Sequence, residues 1–117
     1  LRVLRALRFG VVIVYDAPDC WKCVEVKDAL DALGLDYEPV TVRGDPVARA
    51  ALVAAQGEPP QVPMIVDGDL AVWDRRRILA YLAQTYGSPE PGAVPYAEMP
   101  VFMGGVCRVD GEGCAPG

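Results

Sequence analysis

Five consecutive residues, Val11 to Tyr15 (VVIVY), are β-branched or aromatic, and a four-residue loop carries the chain from them into Cys20-Trp21-Lys22-Cys23. A continuous apolar run of this length predicts a strand buried on both faces and therefore central in its sheet. Apolar or small residues then recur at Cys23, Val26, Ala29, Leu30 and Leu33, with Gly34 next. That three-and-four spacing predicts an amphipathic helix closed by a glycine. A central strand needs cover on both faces, so the chain is constrained to an α/β arrangement with helices packed on a sheet. Two cysteines sit at the turn from strand to helix.

The rest of the chain supplies the missing elements. Leu35 to Val42 alternates apolar and polar positions and predicts a second strand, with Pro39 pointing to an edge or a bulge. Asp45-Pro46 reads as a cap and first-turn proline, and Val47, Ala51 and Ala54 form the apolar face of a helix that ends at Gly57. After the proline-bearing loop Glu58 to Gln61, Val62 to Val66 predicts a third strand beginning around Pro63. Asp67-Gly68 is a hairpin signal that folds Leu70 to Val72 back antiparallel as strand four. Asp74 caps the last helix, with Ile78, Leu79, Leu82 and Tyr86 facing inward and Gly87 closing it. The expected order is β-α-β-α-β-β-α over residues 10–87. From Gly87 to Gly117, Gly and Pro supply 12 of 31 residues, so 88–117 is expected to be an irregular tail. Tyr96, Met99, Val101, Phe102 and Met103 would let part of it dock.

With 117 residues there is room for one domain, and no apolar run approaches the roughly 20 residues of a membrane span. A net charge of −5 argues against nucleic acid and anionic membranes as partners. Arg2, Arg5 and Arg8 ahead of an apolar run imitate a secretory leader. The run is short, stops at Asp16 and lacks a cleavage signal, so a cytoplasmic chain is expected.

The sequence contains no His, which removes Ser-His-Asp and Cys-His catalysis and every His-containing zinc site. Cysteine chemistry remains. A thiolate is the nucleophile of thiol-disulfide exchange, and a helix N-terminus lowers the thiol pKa from about 8.5 through its unpaired N–H groups and dipole. Cys20 is therefore the expected nucleophile and Cys23, three residues on, the resolver. Lys22 would favour the Cys20 thiolate, while Asp16 and Asp19 would oppose it. A metal knuckle would need Cys107, Cys114 or carboxylates as further ligands, and the gap between Cys107 and Cys114 does not make a second knuckle; no metal is expected. Cys107 and Cys114 admit a tail disulfide, a second relay that exchanges with the C-x-x-C, or no specific role, and the last is the expectation.

The segments VVIVYDAPDCWKCVEVKDALDALGLDYEPV and QVPMIVDGDLAVWDRRRILAYL resemble glutaredoxins and the thioredoxin-fold N-terminal domain of glutathione transferases. The resemblance implies a four-stranded mixed sheet flanked by helices, with Pro63 cis beside the sulfurs. It also implies thiol-disulfide oxidoreductase activity, with glutathione as co-substrate and no tightly bound cofactor. Disulfide-containing proteins would be partners and a flavoprotein reductase an alternative electron source. On this pattern the Val62 backbone pairs with the cysteinyl part of glutathione, and Asp74 and Arg75 receive its γ-glutamyl carboxylate; Trp21, Lys22 and Pro63 complete the site. Trp21-Lys22 stands where the family usually has Pro-aromatic, and Ala17 where it often has a basic residue. A non-catalytic binding domain of the same fold, serving docking or metal holding, is the competing reading.

Overall fold

The computed structural model describes residues 11–110. Helices α1 (Trp21–Ala32), α2 (Pro46–Gln56) and α3 (Arg75–Tyr86) alternate with strands β1 (Val12–Asp16), β2 (Tyr37–Thr41), β3 (Gln61–Val62), β4 (Met64–Asp67) and β5 (Leu70–Trp73). Four strands form one sheet in the order β2-β1-β4-β5. β1 pairs parallel with β2 and antiparallel with β4, and β4 pairs antiparallel with β5 across the Asp67-Gly68 turn. β1 is thus interior, as its apolar run requires, and β2 is an edge on which Pro39 is exposed.

Successive residues of each strand face opposite sides, so two cores form. On one side Val12, Val14, Ile65 and Val72 pack with Val26 and Leu30 of α1 and with Ile78, Tyr81 and Leu82 of α3. On the other side Met64 and Val42 pack with Ala48 and Leu52 of α2, with Cys20 and Cys23, and with Cys107 and Val109 from the far end of the chain.

Three local expectations are corrected. The apolar stripe of α2 is rotated by one residue: Ala48 and Leu52 are buried, whereas Val47 is 79% exposed. The Pro46 start sets that phase, and alanines on every side of the helix leave the pattern ambiguous to sequence. In α3, Tyr81 is buried and Tyr86 is 43% exposed, because the Tyr86 hydroxyl reaches past the sheet to Asp67. Third, the run Val62 to Val66 is broken at Pro63, which has no N–H to pair, leaving β3 and β4 as separate strands.

The segment that composition marks as irregular holds turns of 3-10 helix at Tyr96–Glu98 and Met103–Gly105 and a two-residue strand, β6 (Cys107–Arg108). β6 pairs antiparallel with β3, Val62 opposite Cys107 and Gln61 opposite Arg108. Val106, Cys107 and Val109 are buried by this pairing.

Candidate active site

Cys20 is the N-cap of α1, and its Sγ accepts from the Cys23 N–H at 3.2 Å. Its carbonyl also takes the first helical bonds, from Cys23 N and Val24 N. The cap brings the two sulfurs onto one face of the first turn, where they form a disulfide. Both cysteines are buried, and a shallow open depression of about 370 Å³, lined by Ala17, Asp19, Trp21, Val24 and Lys27, borders them.

The charges expected to oppose a thiolate at Cys20 are partly neutralised. Asp16 is buried but pairs with Lys27 at 2.5 Å and accepts from the Thr41 hydroxyl at 3.1 Å. Asp19 is exposed and has positive φ, which starts the turn into α1. Lys22, expected from sequence to favour the Cys20 thiolate, is only 1% exposed, and its Nζ donates to the Val106 carbonyl at 3.0 Å. Burial lowers its pKa from the usual lysine value, with Arg75 adding to the effect and Asp74 opposing it.

Trp21 is half-buried beside two cations, with Lys22 Nζ 5.3 Å and the Arg75 guanidinium 5.4 Å from its ring centre. Arg75 also pairs with Glu25 of α1 at 2.7 Å, which draws the start of α3 towards the motif, and its Nε has no hydrogen-bond partner. Asp74 is fully buried at φ +83°. One of its carboxylate oxygens caps α3 through Arg76 N at 2.9 Å, and the other accepts from Phe102 N at 2.6 Å. The Val62-Pro63 bond is cis, and Pro63 O accepts from Asp74 N. Trp21 and Lys22 thus lie in the first turn of α1, Asp74 and Arg75 at the start of α3, and Val62 in the core cluster that holds Cys20 and Cys23.

The sequence admits a relay for Cys107 among its options but favours no specific role, and the structure places its Sγ 3.5 Å from Cys20 Sγ. The one signal was the apolar pattern Val106, Cys107, Val109 in a Gly- and Pro-rich stretch. Cys114 lies outside the described residues. Among the described residues, no group of three or more Cys, Asp or Glu side chains is placed to hold a metal ion.

The glutaredoxin family profile matches residues 12–71, just over half of the chain, spanning the motif, Pro63 and the hairpin. The chain belongs to the glutaredoxin family. Its fold and its C-x-x-C disulfide are those of a thiol-disulfide oxidoreductase. Among solved structures it is similar to the glutaredoxin-like protein NrdH-redoxin from Escherichia coli, which is described as having a thioredoxin-like activity profile. That match has 28% identity and a TM-score of 0.55, and it covers 67% of this chain and 97% of the redoxin. A diazinon-metabolizing glutathione transferase of the silkworm Bombyx mori matches with 26% identity and a TM-score of 0.53 over 69% of this chain. A glutathione transferase homologue of Drosophila mojavensis, solved with bound glutathione, matches with 26% identity and a TM-score of 0.53 over 67% of it. This glutaredoxin-family chain spans only 40% and 36% of those two transferases. No curated protein matches it.

Proposed function

We propose that this protein reduces protein and glutathione mixed disulfides through the Cys20-Cys23 dithiol. The supporting observation is the cap geometry, since the atom that accepts from Cys23 N–H is the sulfur that must carry negative charge. The Cys20 thiolate attacks a substrate disulfide, one substrate sulfur leaves as a thiolate, and a mixed disulfide forms. The Cys23 thiolate then attacks Cys20, expelling the second substrate thiol and closing the bridge. Two electrons have passed to the substrate, and glutathione returns them as co-substrate. Trp21, Lys22, Val62, Pro63, Asp74 and Arg75 form the surface that receives it. The expected compartment is the reducing cytoplasm. Among the described residues no helix is long and apolar enough to cross a membrane. A second reading, electron supply by a flavoprotein reductase, is favoured by the similarity to NrdH-redoxin.

The test is intact mass after incubation with oxidised glutathione. The variant Cys23→Ser, Cys107→Ser, Cys114→Ser, which retains Cys20 alone, is expected to accumulate one glutathione adduct. If Cys20 does not react, the protein is a docking domain. An adduct in the variant with no glutathione-dependent turnover in the parent would shift the electron source to a reductase.

A further inference from the structure

The tail occupies the surface proposed for substrate. Val62 pairs with Cys107 through β3 and β6, and Val109 N donates to Pro60 O at 3.2 Å to extend that pairing. Lys22 holds the Val106 carbonyl and Asp74 holds the Phe102 amide. Gly105 lies so close to Asp74 that a Cβ there would run into the carboxylate, so the approach depends on a residue without a side chain. The Arg76 guanidinium stacks on the Phe102 ring at 4.7 Å. A peptide substrate bound by strand addition would use the same contacts, with backbone pairing for affinity and a sulfur delivered opposite the nucleophile.

The sulfur is delivered. Cys107 Sγ is 3.5 Å from Cys20 Sγ, about 1.5 Å beyond a disulfide bond. Cys107 is itself in a disulfide.

We infer that the tail is a tethered substrate and that Cys107 is a third redox residue, the sulfur with which Cys20 exchanges. This rests on the oxidoreductase reading of Cys20 and extends it. In the reduced motif the Cys20 thiolate attacks Cys107 Sγ. The Cys107 disulfide breaks, its electron pair leaves on the partner sulfur, and a Cys20–Cys107 bond forms. The Cys23 thiolate then attacks Cys20 Sγ, and Cys107 departs as a thiolate. The motif loses two electrons and two protons, the tail gains both, and no outside oxidant is consumed. Run in reverse, the same steps let the reduced tail return electrons to the motif.

The alternative is a cysteine that packs as a small apolar side chain and does no chemistry. The test uses the full-length chain carrying Cys23→Ser and Cys114→Ser, reduced and then incubated with oxidised glutathione. Cys20 first takes a glutathione adduct, and Cys107 then attacks Cys20 and expels glutathione. A docked strand should present Cys107 at no less than the roughly millimolar effective concentration of a flexible tether. At about 0.1 mM glutathione the Cys20–Cys107 crosslink should therefore outweigh the adduct by about tenfold or more, identified by non-reducing peptide mapping at low pH. Replacing Cys107 with Ser or with Ala in this background should convert the product to a stable adduct. A persistent Cys20 adduct with Cys107 present would overturn the relay and leave the oxidoreductase intact. Failure of Cys20 to react at all would overturn both.

Discussion

Asp74 sits at φ +83°, a conformation that costs an L residue on the order of 1–3 kcal/mol, and keeps it because both carboxylate oxygens are engaged. Asp74→Ala should lose the cap of α3, leave the Phe102 amide without its acceptor and retain the backbone cost. We expect destabilisation of about 1–3 kcal/mol in urea unfolding at pH 7. Asp74→Gly removes the same bonds but relaxes φ, and should be milder than Ala by about 1 kcal/mol. Equal losses for the two variants would show that the backbone strain contributes nothing. The sequence marked Asp74 as a cap because an Asp precedes an amphipathic run. Its second bond was invisible, because Phe102 is 28 residues away and only the fold brings the two together.

At the scale of elements, the end of α3 is tied to the β4–β5 hairpin. Tyr81 and Tyr86 both donate their hydroxyls to Asp67 Oδ2 at 2.5 Å, and Tyr81 also packs edge-on against Tyr96. Burial raises both phenol pKa values and the Asp67 carboxylate adds to the effect, with Tyr86 pushed up to about 12 and Tyr81 higher still. A phenol whose folded pKa lies above the unfolded value near 10 binds its proton more tightly in the native state. Its stabilising contribution is complete below pH 10 and is lost as the pH rises towards the folded value. Urea midpoints measured from pH 8 to pH 11.5 should therefore fall more steeply for the parent than for Tyr86→Phe. Parallel profiles would show that the Tyr86–Asp67 bond is not linked to folding. The hairpin itself was legible from Asp67-Gly68, a local signal, whereas the choice of Tyr81 for burial depended on the surface that the sheet and tail presented.

For the whole molecule, the tail adds a second strand pair outside the main sheet, and its side chains finish the core cluster that contains both motif cysteines. The tail is held by a two-residue strand pair and a few polar contacts outside the main sheet, so it should open without unfolding the domain. In native-state hydrogen exchange, the Val109 amide, which donates to Pro60 O, is expected to be protected but to exchange faster than Val14 in the buried central strand. Protection equal to that of Val14 would mean that the tail opens only with global unfolding; none at all would mean that it does not dock. The β-α-β-α-β-β-α order, the edge position of Pro39 and the two motif cysteines were readable from the chain alone, because each rests on contacts within a few residues or on a strict apolar period. The burial of Lys22, the pairing of Arg75 with Glu25 and the approach of Cys107 to Cys20 were not. These are meetings between segments up to 87 residues apart. Composition marks the tail as unable to build a core of its own, but only the folded domain provides the open edge at Val62, the buried carboxylate of Asp74 and the sulfur of Cys20 that give it a place to bind.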